Sequence, residues 1–217
     1  NQRALFYALG ADPGWDARVM SWLNQVRALS RAGVTAPNEI RDARAILDEM
    51  RLFKDETELA TMRRAAAISA VAHQRAMRAT RPSRNEFEIE AELLYEFRRA
   101  GSQFPAYWPI VAGGRNACVL HYRDNHAPLA KGDLLLIDAG CELDGYAADI
   151  TRTFPVDGRF STAQREIYEL VLAAQAAAIA RVAPGNQWND PHDAAVQTLA
   201  RGFVDLGLCE GPVERVI

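Results

Sequence analysis

The chain has 217 residues, 49% of them apolar and 24% charged, with 25 Lys and Arg against 28 Asp and Glu for a formal net charge of −3. That is the composition of a globular protein of one large domain, or one and a part, without the basic surplus that a nucleic-acid surface needs. No run of 18 or more apolar residues is present to cross a membrane. The three widely spaced cysteines, Cys118, Cys141 and Cys209, suit free thiols in a reducing compartment, with the cytoplasm as the expected location.

In chain order, residues 16–31 carry Val19, Trp22, Leu23, Val26 and Leu29 at helical spacing, and Gly33 stops the pattern. Pro37 precedes an expected polar helix that includes Ile40, Ala43 and Leu47. The stretch 50–54 reads as a linker, so that residues 1–53 are the end of a first domain and residues 54–217 belong to a second. Asp55, Glu56 and Glu58 then place acids in the first turn of a long helix through about residue 80, where the helix dipole favours them. A second helix is expected over 85–100, opened by Asn85 with Glu88 three residues on and stopped by Gly101; its stripe is Ile89, Leu93, Leu94 and Phe97. Both helices read as core packing without chemistry. Strands are expected near 108–112, 118–122, 134–138 and 146–154, with Cys118 and Cys141 as buried thiols in or beside them. Gly113-Gly114 reads as a turn and not as a phosphate loop, for no Lys-Ser/Thr or helix start follows it. Ser161 opens a helix whose Ile167, Leu170, Val171, Ala174 and Ile179 point inward, Pro184-Gly185 breaks it, and a last helix runs over about 191–205 to Gly207. Helices, then hairpin-linked strands, then helices make an α+β arrangement with antiparallel strands.

The chemistry concentrates in two aspartates. Asp138 ends the apolar run Leu134-Leu135-Leu136-Ile137, and Asp149 follows eleven positions later, across Asp144-Gly145. Asp-Gly favours the type I′ turn of a two-residue hairpin. Pairing across that turn sets Asp138 opposite Thr151 and makes Asp149 its diagonal neighbour on the same face, provided that no bulge intervenes. Two carboxylates so placed are costly without compensation, and a bound cation is one remedy. Paired carboxylates suit Mn²⁺, Mg²⁺ or Ca²⁺, or a dinuclear Zn, Co or Mn site. Spacing alone leaves open a helix cap or a backbone-bonded structural group.

Beyond spacing, residues 137–140, Ile-Asp-Ala-Gly, and 145–155, Gly-Tyr-Ala-Ala-Asp-Ile-Thr-Arg-Thr-Phe-Pro, resemble the signature of metallopeptidases with the pita-bread fold, and more narrowly of Xaa-Pro aminopeptidases. The stretches Asp-Glu-Met-Arg-Leu-Phe-Lys at 48–54 and Ile-Val-Ala-Gly-Gly-Arg-Asn-Ala-Cys-Val-Leu-His-Tyr at 110–122 agree, so that the resemblance covers essentially the whole chain. It implies a partial pita-bread catalytic domain over 54–217 and, over 1–53, the tail of an N-terminal α/β, creatinase-like domain. In that family two aspartates, one histidine and two glutamates hold two metal ions. Asp138 and Asp149 match the aspartates, and the other three are expected beyond Ile217, which makes the chain an internal fragment of a longer enzyme. The ions implied are two Mn²⁺, with Zn²⁺ or Co²⁺ as substitutes; the activity implied is release of the residue that precedes proline at a peptide N-terminus by a metal-activated water.

By the same resemblance His121 lines the substrate pocket and assists proton transfer, as the near-neutral pKa of an imidazole suits. Read locally, in an apolar run before the polar 123–126 turn, it is first a half-buried histidine with a structural hydrogen bond. His73, His126 and His192 have weaker claims, and Tyr107 and Trp108 are either pocket wall or core. The implied partners are Xaa-Pro peptides and further copies of the chain in a homo-oligomer, without nucleic acid or membrane. A dipeptidase (prolidase) would share Asp138, Asp149 and His121. A creatinase-type amidinohydrolase is disfavoured by the aspartate pair, and a methionine aminopeptidase by the 1–53 segment. A non-catalytic binding module of the same fold is the alternative from another class.

Overall fold

The computed structural model describes residues 3–217 and divides into two compact units, which meet in sequence between Thr61 and Met62. In the first, β1 (Ala4–Phe6) and β2 (Glu39–Arg41) pair in parallel, Leu5 opposite Ile40, with α1 (Pro13–Ala28) between them in sequence. Helix α1 starts earlier than its apolar spacing suggests, because Asp12 accepts a hydrogen bond from the Trp15 N–H and Pro13 occupies the first turn. Gly33 ends the following 3₁₀ turn in the left-handed conformation, φ 78°. Ile40 lies in β2 and not in a helix: Asp42, extended, caps α2 (Ala43–Leu52) by accepting from the Arg44 N–H, so the helix cannot begin before Ala43.

The second unit is built on α3 (Glu56–Ala79) from Met62 onward and on α4 (Glu86–Arg99), which supply one side of the core. At the start of α3 the Asp55 carboxylate accepts from the Thr57 and Glu58 N–H groups, while Glu58 accepts from the Asp55 N–H. The buried face of α3 is Ala65, Ile68, Ser69, Ala72, His73 and Ala76. Such small residues at helical spacing let a helix approach a neighbouring layer closely. On α4 the stripe of Ile89, Leu93 and Phe97 is buried as its periodicity requires, and Asn85 and Glu88 form the expected capping box.

Six short strands follow: β3 (Phe104–Pro105), β4 (Ile110–Gly113), β5 (Leu134–Ala139), β6 (Cys141–Leu143), β7 (Tyr146–Ala147) and β8 (Ile150–Pro155). They form two antiparallel sheets, β4-β5-β8 and β3-β6-β7. Alternation along β5 buries Leu135, Ile137 and Ala139 in the helical core and turns Asp138 to the other face. The expected strand over 146–154 is interrupted at 148–149, yet one register runs through the whole hairpin. Asp138 faces Thr151 and Ala139 faces Ile150 in one sheet, and Glu142 faces Ala147 and Leu143 faces Tyr146 in the other. At its tip Asp144 and Gly145 both have positive φ, 50° and 85°, as a type I′ turn demands.

The hairpin passes from one sheet to the other at Gly140. A Cβ there would stand 1.7 Å from the Ala148 carbonyl oxygen, so only glycine permits the crossing. Two polar side chains of α3 take up backbone groups at this bend. The Ser69 hydroxyl donates to the Ala65 carbonyl (2.9 Å) and accepts from the Cys141 N–H (3.0 Å), and His73 Nε2 donates to the Ala139 carbonyl at 3.0 Å. Among the described residues His73 Nδ1 is buried without a partner at hydrogen-bond geometry.

Two expectations fail in this unit. Residues 118–122 are not a strand: the β4 ladder ends with Gly113 opposite Leu135, residues 114–118 form a 3₁₀ turn, and His121 has φ 53°, which no strand tolerates. Cys118 is accordingly exposed, whereas Cys141 is buried in β6. The stripe of α5 (Thr162–Ile179) is also not a core face. Ala174 is buried, but Ile167, Val171 and Ile179 are exposed, the first two beside a groove of about 740 Å³ between α5 and β8. Helix α5 packs instead on α6 (Asp190–Asp205), where Gly202 lies against Leu170. Among the described residues no helix is long and apolar enough to cross a membrane.

Two measurements test the bend. Gly140→Ala is expected to cost at least about 3 kcal/mol in urea denaturation of the intact protein, because the methyl meets backbone and not a movable side chain. Burial lowers the His73 pKa below 6.5, with the hydrogen bond to Ala139 opposing it. Above that value the ring is neutral in folded and unfolded chains alike. Below it the unfolded chain binds a proton that the folded one excludes, so stability falls as pH drops from 6.5 toward the depressed folded value. His73→Gln, which keeps a donor for Ala139, is expected to flatten the decline in melting temperature between about pH 7 and 5.5.

Candidate active site

Three pieces of chain converge on the far side of β5. Asp138 stands near the end of that strand, and Asp149 stands in the interruption between β7 and β8, two residues from the partner of Asp138. The third arrives through β3, where the ladder to β6 and the Ala106 N–H···O Gly140 bond (2.9 Å) place Tyr107 against the same bend. The Tyr107 hydroxyl donates to both carboxylates, to Asp149 at 2.8 Å and to Asp138 at a shorter distance. A phenol has one proton, so it serves the two acceptors as a three-centre donor. Burial, then the hydrogen bonds to Asp138 and Asp149, push its pKa far up and keep that proton in place.

Among the described residues neither carboxylate is in an ion pair. A pocket of about 240 Å³ opens over them, lined also by Trp108, Ile110, His121 and Arg123. The structure thus brings the three sequence-derived candidates, Asp138, Asp149 and His121, to one cavity. His121 is exposed, in a left-handed turn, and not the half-buried histidine of the local reading. His73 is buried behind the bend; His126, beside the Phe87 ring, and His192, in the first turn of α6, do not line this pocket. The larger groove beside α5 has no carboxylate or histidine in its lining, so the smaller cavity is the candidate site.

The residue missed is Tyr107, expected only as wall or core. No local motif marks it; its place follows from the pairing of β3 with β6, a contact between segments far apart in sequence. The oxygen-only donor set of Asp138 and Asp149 fits a hard divalent ion in kind. In number it is incomplete: among the described residues no group of three or more His, Cys, Asp or Glu is placed to hold a metal.

Comparison with known proteins identifies relatives of this arrangement. Residues 60–212 match the model of metallopeptidase family M24. Over 180 residues the chain is 53% identical to an Xaa-Pro aminopeptidase of Haemophilus influenzae, which covers 83% of this chain and 42% of that protein. It superposes on aminopeptidase PepP of Pseudomonas aeruginosa with a TM-score of 0.97 at 52% identity, over 100% of this chain and 49% of that one. It likewise superposes on zinc-substituted Escherichia coli aminopeptidase P in complex with product, with a TM-score of 0.95 at 42% identity, over 100% and 49%. The chain therefore spans about half the length of the relatives it matches.

Tyr107→Phe removes the one donor that, among the described residues, the two carboxylates share. It is expected to weaken divalent-metal binding by the intact protein about 10-fold in titration calorimetry, as loss of an orienting partner does at other metal sites.

Proposed function

The chain belongs to metallopeptidase family M24, and from that premise we propose that the protein of which it is part releases the N-terminal residue from peptides with proline in second position. The observation that carries the reading is the convergence of Asp138 and Asp149 on one hydroxyl at the floor of a pocket rimmed by His121.

In this reading Asp138 and Asp149 hold part of a dinuclear centre, Mn²⁺ by preference, with Zn²⁺ or Co²⁺ able to replace it. When bound, the ions supply an activated water and polarise the scissile carbonyl. Tyr107 keeps the carboxylates converged, and His121 holds a proton at the pocket rim, where the substrate's amide arrives. Trp108 and Ile110 give the pocket an apolar wall against which a proline ring packs. An Xaa-Pro bond has no N–H to offer, so shape and apolar contact must do the selecting. The remaining ligands, one histidine and two glutamates, come from outside these 217 residues, a reading supported by the half-length coverage of the relatives.

We extend the proposal to architecture. The second unit is part of a pita-bread domain, and the β1–α1–β2 parallel pair supports reading residues 1–53 as the end of an α/β, creatinase-like domain through which copies assemble. Free cysteines support a cytoplasmic location.

The test is Mn²⁺-dependent cleavage of an Xaa-Pro-Xaa tripeptide by the complete gene product, beside an Xaa-Pro dipeptide and an Xaa-Ala tripeptide. Cleavage of the Xaa-Pro tripeptide alone is expected, and Asp149→Asn should lower it by at least about 100-fold. Turnover of the dipeptide alone would make the protein a dipeptidase, and silence on all three with metal supplied would overturn the peptidase reading.

A further inference from the structure

Helix α4 carries two buried acids, Glu86 and Glu90, that among the described residues neither ion-pair nor face the pocket. Both reach into the segment between β4 and β5. Glu86 Oε1 accepts from the Gly113 N–H (2.7 Å) and from Asn116 Nδ2 (3.0 Å); its Oε2 accepts from the Tyr122 hydroxyl (2.8 Å) and from the Ala127 N–H (2.9 Å). Asn116 Nδ2 also donates to the Tyr122 oxygen at 3.1 Å, which closes a ring of polar contacts. One turn along the helix, Glu90 accepts from Asn125 Nδ2 (3.0 Å). The same amide donates to the Pro109 carbonyl and accepts from the Val111 N–H, tying the loop back to β4.

A single carboxylate thus grips the start, the middle and the end of the 113–127 loop. The middle grip is on Tyr122, the chain neighbour of His121. The apolar residues beside it give no such anchor, for Val119 is 56% and Leu120 87% exposed. His121 and Asn125 both hold positive φ, 53° and 44°. Non-glycine residues keep such angles only where the surroundings over-determine them.

We infer that Glu86 is a positioning residue for His121, acting through the Tyr122 and Asn116 contacts that fix the loop over the two-aspartate pocket; the inference rests on the peptidase reading of that pocket. A glutamine at this position offers one acceptor oxygen and turns an NH₂ toward two donors, so at least half of the clamp is lost at nearly constant volume.

The experiment uses the full-length enzyme with Glu86→Gln and Tyr122→Phe, each alone and combined with His121→Ala. Each single change is expected to lower kcat on the Xaa-Pro tripeptide by roughly 10- to 100-fold, with KM and Mn²⁺ affinity within about twofold of wild type. In the His121→Ala background the same changes should cost nothing further, because a group that acts through His121 has nothing left to position. Hydrogen exchange of the 116–124 amides should rise in both variants. Should Glu86→Gln fail to fold, Tyr122→Phe, which removes one hydroxyl, carries the test. A kcat loss that persists undiminished without His121, or unchanged loop exchange in Tyr122→Phe, overturns the inference. Exchange is read without substrate, so a wild type inactive on peptides overturns the peptidase reading, while exchange still upholds or overturns the clamp.

Discussion

The close crossing of Gly140 under the Ala148 carbonyl is the constraint from which the rest of the pocket's geometry follows. The hairpin register is continuous from Asp138–Thr151 to Leu143–Tyr146, but its two halves lie in different sheets. A hairpin can change sheets without a bulge only if it bends within one or two residues, and the bend requires backbone to meet backbone. Asp149 lies at that point, outside both ladders, and there its carboxylate shares a hydroxyl with Asp138. A side chain at position 140 would separate the strands and the two acids together.

Such a bend leaves backbone groups without ladder partners, which a buried site cannot tolerate. The answer comes from the helices. Ser69 and His73 on α3 serve Cys141 and Ala139, while Glu86 and Glu90 on α4 serve Gly113, Ala127 and the 109–125 region. Two helices that pack on a sheet through Ala, Ile, Leu and Phe thus also place four polar side chains at the sheet's irregular points. Their apolar faces set the distance, and their polar residues fix the loops that reach the pocket.

This division explains what was legible in the chain. Hydrophobic periodicity located α4 and α5, first-turn acids located α3, proline and glycine breakers bounded α6, and the Asp144-Gly145 turn set the register that brings Asp138 and Asp149 together, because all these signals are local. The 118–122 run misled for the opposite reason. Cys118, Val119 and Leu120 have strand composition, but β-propensity describes a fit to a half-buried pleated surface, and no neighbouring strand supplies that surface here. The sequence offered Tyr107 only as pocket wall or core and Glu86 only as part of a helix, since a tyrosine before a tryptophan and a glutamate in a first helical turn have ordinary explanations. Only the pairing of β3 with β6, and the return of the 113–127 loop over α4, give these two their partners. The stripe of α5 was read correctly as apolar and wrongly as inward: periodicity marks a face, not what covers it.

The carboxylates of this unit can be sorted by the donors that converge on them. Glu86 receives four, from two backbone N–H groups, an amide and a phenol, so that both its oxygens are saturated and nothing remains to coordinate an ion or abstract a proton. Asp138 and Asp149 share one hydroxyl between them and open on a pocket. A buried acid with its lone pairs occupied is structure; a pair with lone pairs left over, held close by a single donor against their mutual repulsion, is a place where a cation lowers the energy. The same residue type therefore serves two ends a few residues from one loop, and the count of donors at each oxygen, more than burial or charge, distinguishes the acid that holds the scaffold from the acids left open to a cation.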